Sequence, residues 1–293
     1  MTKKAVVPVP EFALEAIGRS GAALASAARG VSEGTTEPVE GVHELRVSIR
    51  RVRAQLRIFA GVFDAAWLEA MQTQLRDLGR VVGETRDLDV IHGRLEQLAA
   101  GLPATDRAGI APVLAQLALD RSAAHDRACA AVGNTSRASV VDDLTLAPNR
   151  WPLAADAAQV DLADLVTATR LQWRRLRKAA AAAEADLSVE KLHLVRIRAK
   201  TLRYSLETLE PLLHSSARDH AKALVSLQDH LGKMQDAEVI ERWLRVAVET
   251  HRGDAFVVGQ LVGLERARKE RARATWDTPW QRAAQRKLRR WAR

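Results

Sequence analysis

Apolar positions recur every three or four residues along most of the chain, the spacing of a helix that buries one face. Breaks in that rhythm delimit the segments. Pro8 and Pro10 precede a periodic run over about 11–29, and a loop rich in Gly, Ser and Thr follows at 30–38. Further runs cover about 39–63, 65–100 and 106–132, with Gly101-Leu102-Pro103 and Gly133-Asn134 as stops. Residues 134–158 carry Pro148 and Pro152 and read as a linker with at most one short helix. The rhythm resumes over about 159–185, 188–214, 216–250 and 254–275, and an arginine-rich helix is expected over about 280–291. The expected organisation is a four-helix half at 1–133, a linker at 134–158, a second four-helix half at 159–276 and a basic tail or helix at 277–293.

The two halves share a register. A shift of 150 puts His43 on His193, Arg46 on Arg196, Arg50 on Lys200 and Arg53 on Arg203. A shift of 149 puts Leu78 on Leu227, Gly83 on Gly232, Asp87 on Asp236 and Asp89 on Glu238. Heptads reproduce apolar matches, but they do not place His on His and Gly on Gly. The register predicts an all-α fold of two pseudo-symmetric four-helix bundles from an internal duplication.

Composition agrees with this reading. The 293 residues are rich in Ala, Leu, Arg, Glu and Gln, and aromatics make up only 4%. An all-β fold is thereby excluded. One cysteine, Cys129, supports neither an intrachain disulfide nor a cysteine metal site. No stretch is long and apolar enough to span a membrane, and Glu11, Glu15 and Arg19 interrupt any secretory signal, so a cytoplasmic chain is expected.

Charge is the informative quantity. Lys and Arg number 45 against 36 Asp and Glu, a net of +9. On the second helix His43, Arg46, Arg50, Arg53 and Arg57 fall within an arc of about 80° at about 100° per residue. Val42, Leu45, Ile49, Val52, Leu56 and Phe59 occupy the adjacent arc. The sixth helix repeats the stripe with His193, Arg196, Lys200 and Arg203, and Glu207 stands where Arg57 would fall. Like charges stacked at this spacing repel by a few tenths of a kcal/mol each. The arrangement makes physical sense when a polyanion neutralises it, and arginine suits phosphate because its planar fork donates two parallel hydrogen bonds. Two stripes meeting between the halves predict a long positive groove. A histidine at the head of each stripe donates to phosphate when protonated.

On the third and seventh helices Asp89 and Glu238 continue the apolar seam, with Arg86 near the same arc. Buried acids require partners, so these two are expected to hold stripe arginines in position. Gly79 and Gly83 are expected to allow close helix approach. Glu40-x-x-His43 and Glu190-x-x-His193 match the spacing of di-iron carboxylate bundles. Arg46 and Arg50 would lie one and two turns from such a cation, and no metal or other cofactor is expected. Nucleotide-binding and hydrolase motifs are absent, and no nucleophile–base pair stands out. His125, His214, His220, His230 and His251 read as surface or boundary residues, and Trp67, Trp151, Trp173 and Trp243 as core or interface. Residues 266–293 hold eleven cations and two acids, with Trp276, Trp280 and Trp291 interleaved, the pattern of a segment that binds nucleic acid or an acidic membrane surface.

The motifs V-H-E-L-R-V-S-I-R-R-V-R-A-Q-L-R at 42–57 and L-G-R-V-V-G-E-T-R-D-L-D-V at 78–90 resemble the CHAD family, the conserved histidine α-helical domain. L-H-L-V-R-I-R-A-K-T-L-R-Y at 192–204 and L-G-K-M-Q-D-A-E-V at 231–239 resemble its weaker repeat. The resemblance spans about 10–285. It implies two four-helix bundles around a central basic channel that binds inorganic polyphosphate, with members found at polyphosphate granules and often fused to triphosphate tunnel metalloenzyme domains. The ligand set it implies is His43, Arg46, Arg50, Arg53, His193, Arg196, Lys200 and Arg203; Arg57 comes from the helical wheel. Thr201 in place of Arg51 and Gln235 in place of Arg86 are departures in the second half. No E-x-E-x-K motif of the fused enzyme is present, so the chain resembles a stand-alone, non-enzymatic binding module. Nucleic-acid binding by a helical protein is the alternative.

Overall fold

The structure, a computed structural model, describes residues 8–133, 141–144, 150–250 and 253–292. Asn134, Pro148, His251 and Arg293, singled out above or counted in the basic tail, lie outside the described residues. Among those described, eight long helices form: α1 (Val9–Ser32), α2 (Pro38–Ile58), α3 (Ala65–Ala100), α4 (Ala104–Gly133), α5 (Leu162–Ala185), α6 (Val189–Leu209), α7 (Ser216–Glu249) and α8 (Ala255–Ala274). A short α9 (Asp277–Ala283) and a 3-10 segment at Arg286–Ala292 end the chain. No strand forms among the described residues beyond one isolated bridge pair, Phe63–Leu153, so the all-α expectation holds.

Local chemistry sets the boundaries. Asp64 caps α3 by accepting from the Trp67 amide at 2.9 Å, and Asp161 and Asp164 form a reciprocal capping box at the start of α5. Asp254 caps α8 by accepting from the amides of Phe256 and Val257. The preceding Gly253 has φ +120°, and a Cβ there would lie 2.5 Å from Val113 Cγ2, so no other residue fits. Two helices are shorter than the periodicity predicts. Helix α2 stops at Ile58 because Phe59, Val62 and Phe63 turn into the core through a 3-10 turn. Helix α6 stops at Leu209, two residues before Pro211, which has no backbone N–H to extend the helical hydrogen bonds. The expected last helix divides into α9 and the 3-10 segment.

Three cores hold the molecule together. The first packs α1, α2 and the first half of α3, with Leu24, Leu45, Leu56 and Leu75 fully buried. Val141, Leu144 and Trp151 join this core, so the described parts of the connecting stretch are anchored rather than free. Trp151 packs against Phe63 and Trp67 and donates from Nε1 to the Asp143 carbonyl at 2.8 Å. The second core packs α5, α6 and the first half of α7, and takes in Trp276, Trp280 and Trp291. The third is shared: Ile91 and Leu95 of α3, Val113 and Leu117 of α4, Ile240 and Leu244 of α7, and Val258 and Leu261 of α8. Helices α3 and α7 are long enough, at 36 and 34 residues, to serve their own half at one end and the shared core at the other. The ionic cross-link Arg94–Glu265 joins α3 to α8 at 2.7 Å, with Arg268 completing the partners of the buried carboxylate. This shared core joins α3 to α7, the helices against which α2 and α6 pack.

Candidate polyanion-binding cleft

Helices α2 and α6 flank a cleft of about 760 Å³ whose floor is formed by α3 and α7. Helix α2 contributes His43, Arg46, Arg50 and Arg51, and α6 contributes His193, Arg196, Lys200 and Arg203. Arg86 and Asp87 enter from α3, and Asp229, Lys233, Gln235 and Asp236 from α7. The alternation of apolar and basic arcs on α2 and α6 explains this placement. Each helix buries its leucine–valine arc in its own core, which leaves the neighbouring basic arc at the seam between halves.

Few anions compensate these cations. Arg46 donates to Asp87 Oδ1 at 2.9 Å and reaches the Gly83 carbonyl at 3.5 Å. Arg203 lies 3.4 Å from Glu207 and 4.4 Å over the Tyr204 ring. Arg50 and Arg196 have no ion pair among the described residues, and the Nε atom of each is buried without a hydrogen-bond partner. Gly232 leaves room for Arg196 to lie across α7, with Nη2 3.6 Å from the point a Cβ would occupy.

Desolvation and mutual repulsion weaken proton binding at His43, Arg50, Arg196 and Lys200. Lys200 is lowered to about 7, first by burial and then by Arg196, Arg50, Arg46 and Arg203. His43 is lowered by burial and by Arg86, which favours its neutral form. His193 is placed differently: its Nδ1 pairs with Gln235 Oε1 at 2.6 Å, where the first half has Arg86. Burial raises Asp236, aided by Asp87 and opposed by Arg196, Arg268 and Lys200.

Several expectations need correction. Arg53 and Arg57 do not line the cleft; the stripe runs past its end, and Arg57 Nε donates back to the Arg53 carbonyl. Arg51 lines it instead, because α6 lies to one side of the stripe and opens the adjacent flank of α2. Asp89 holds no stripe arginine. Its side chain is 6% exposed and accepts from Arg121 of α4 at 3.0 and 3.1 Å. Glu238 likewise pairs with Lys269 of α8 at 2.8 Å and with Arg242. Both acids clamp a long hairpin, α3–α4 or α7–α8. Gly79 does allow close approach, with Ile49 Cγ2 3.3 Å from a Cβ position, but no atom lies within 4 Å at Gly83. His220 is fully buried; its spacing to Leu224, Leu227 and Leu231 placed it on the core seam and was the missed signal. Trp276, Trp280 and Trp291 are buried too and offer no surface for stacking. Among the described residues no cluster of three His, Cys, Asp or Glu is arranged to hold a metal, and no helix is long and apolar enough to cross a membrane.

Comparison with known proteins matches this geometry. The CHAD domain model matches residues 15–245. Two curated proteins of Mycobacterium tuberculosis, uncharacterized protein MT2285 of strain CDC 1551 / Oshkosh and uncharacterized protein Rv2226 of strain H37Rv, are each 28% identical over 259 residues. The match takes in 80% of this chain but 46% of theirs, so the chain spans about half the length of the curated relatives it matches. Among solved structures, the CHAD domain from the plant Ricinus communis superposes with a TM-score of 0.76 at 25% identity, covering 98% of this chain and 95% of that one. PptA from Streptomyces chartreusis gives 0.77 at 24% identity, covering 94% and 100%, and shares the fold. On the matched motifs, the helical architecture and the extent of the family match, the chain belongs to the CHAD domain family.

Proposed function

We propose that the chain binds inorganic polyphosphate in the cleft between α2 and α6, without turning it over. One observation carries the reading: the stripes of both halves line the same cleft, and Arg50, Arg196 and Lys200 at its centre make no ion pair at contact distance among the described residues. A linear phosphate chain supplies repeated anionic oxygens with no other structure to accommodate, and it removes the repulsion that depresses Lys200. CHAD domains are associated with polyphosphate binding and are generally binding modules. The ligand set in this reading is His43, Arg46, Arg50, Arg51, Arg86, His193, Arg196, Lys200 and Arg203. The parallel placement of Asp87 with Asp236, and of Asp89 with Glu238, supports the internal duplication suggested by the register. Attachment to polyphosphate granules is part of the same proposal.

Nucleic-acid binding has less support. Tyr204 is the one Phe, Tyr or Trp among the residues described as lining the cleft, and Arg203 lies over it, so a series of such rings for stacking bases is lacking there. Competition titration separates the two. Long-chain polyphosphate is expected to resist displacement by single-stranded RNA at equal total charge, and one-for-one displacement overturns the reading. Arg50→Gln with Lys200→Gln is expected to weaken polyphosphate binding at least tenfold with helicity unchanged. Release of orthophosphate on incubation with Mg²⁺ would show turnover instead.

A further inference from the structure

We infer that the outer face of the second half, where Arg174, Arg177 and Lys178 of α5 meet Arg286, Lys287 and Arg289 of the C-terminal 3-10 segment, is a second binding surface for a linear phosphate polyanion. The inference rests on the proposed function, because it assigns this surface to a chain already held in the cleft.

The surface repeats the construction of the cleft. Arg170, Arg174 and Arg177 follow one another at intervals of four and three, so they form a ladder on one side of α5. Arg170 Nε donates to the Ala292 carbonyl at 2.7 Å, which draws the C-terminal segment against that ladder. Arg289 then lies 4.9 Å over the Trp173 ring, next to Arg174 in sequence, and its buried Nε has no hydrogen-bond partner. Arg177 and Arg286 are close enough to weaken the hold of Arg289 on its proton, after the larger effect of burial. None of the six named cations has an ion pair among the described residues, and the five other than Arg289 are exposed.

The segment is held rigidly. The Trp291 amide donates to Ser216 Oγ at 2.9 Å, and its indole donates to His220 Nδ1 at 3.1 Å. The backbone that carries Arg286, Lys287 and Arg289 is therefore anchored before a ligand arrives, which reduces the entropy lost on binding. Trp173, Trp276, Trp280 and Trp291 all point inward. Recognition here rests on charge without base stacking, which favours a ligand made only of phosphate. His220 beneath the segment and Gly232 in the cleft are twelve residues apart on α7, about 18 Å along the axis. A long chain leaving the cleft reaches this surface at high effective concentration, whereas a short one does not. The C-terminal segment lies beyond residues 15–245, the span of the family match, whereas the α5 cations lie within it.

The test uses the full chain with Arg174→Gln, Arg177→Gln, Arg286→Gln and Lys287→Gln combined, circular dichroism and thermal melting serving as the folding control. Tripolyphosphate is expected to bind unchanged, while long-chain polyphosphate binds about tenfold more weakly and its logarithmic salt slope falls by roughly 3. Unchanged long-chain affinity and slope overturn the inference. Loss of tripolyphosphate binding with the fold intact also overturns it, because the surface is then the primary site. So does a variant that loses single-stranded RNA or anionic-vesicle binding but keeps long-chain polyphosphate affinity. The cleft variant Arg50→Gln with Lys200→Gln is measured in parallel. If it keeps full tripolyphosphate affinity, the cleft assignment fails by itself.

Discussion

Arg46 on α2 and Asp87 on α3 meet at 2.9 Å in the cleft, and the aspartate belongs to the helix that forms the cleft floor. The pair neutralises part of the positive field in the cleft. A phosphate oxygen competes with Asp87 for the same guanidinium. The aspartate side chain is 55% exposed, so the pair stabilises the fold by less than about 1 kcal/mol. Asp87→Asn is expected to leave the melting temperature nearly unchanged and to tighten polyphosphate binding roughly two- to fivefold. Isothermal titration measures it, and weaker binding would show that Asp87 serves to position Arg46.

Lys200 gives the cleft a pH signature. It loses its proton at about 7 in the folded chain, against about 10.4 when unfolded. Between those values the unfolded state binds more protons, so this group makes stability rise with pH from 7 towards 10. Its destabilising effect is fully present below 7. A bound polyanion favours the ammonium form and reverses the sign for binding, so affinity falls as pH rises above 7. Calorimetry at about pH 8 in buffers of different ionisation enthalpy is expected to detect proton uptake by Lys200 on binding, since burial and Arg86 lower His43 from its ordinary value and keep it neutral at that pH. Lys200→Arg is expected to keep the affinity and abolish the uptake.

Position along the stripe predicts a gradient that residue type does not. Arg50 lies in the cleft among Arg46, Arg196 and Arg203, whereas Arg57 lies past its end. Arg50→Met is expected to weaken polyphosphate binding at least tenfold, yet to raise the melting temperature of the empty protein by about 2–4 °C through relief of roughly 1 kcal/mol of repulsion. Arg57→Met is expected to change binding less than about twofold, as for removal of a single distant charge. Equal losses from the two substitutions would place the ligand along the whole of α2.

Asp89 separates fold from function. Asp89→Ala strands Arg121 against α3 and is expected to cost about 1–3 kcal/mol, with polyphosphate affinity unchanged below the transition. Denaturant titration alongside binding measurement checks this. A selective loss of binding would return Asp89 to the ligand site.

Within single helices, the sequence alone determined a good deal. The turn-by-turn spacing of Leu45, Ile49, Val52 and Leu56 fixed a buried face on α2, and the spacing of His43, Arg46 and Arg50 fixed a basic face beside it. Such angular relations are local and follow from 3.6 residues per turn. The repeat at His193, Arg196 and Lys200 then made one shared groove the economical expectation. Helix ends were legible where Pro, Gly or Asp marked them, and less so at Phe59–Phe63, where burial of aromatic rings turned the chain inward.

Only the tertiary structure decided which neighbours each charge meets. Asp87 and Asp89 are two residues apart and so about 200° apart around α3, which sends one into the cleft and the other to Arg121. Their assignment depended on where α2 and α4 cross α3, and those crossings are set by packing between segments distant in sequence. The same holds for Arg51, brought into the cleft by α6, and for Trp291, which a hydrogen bond to His220 draws into the second core. Periodicity states which face of a helix is basic; the packing of the three cores decides what that face meets.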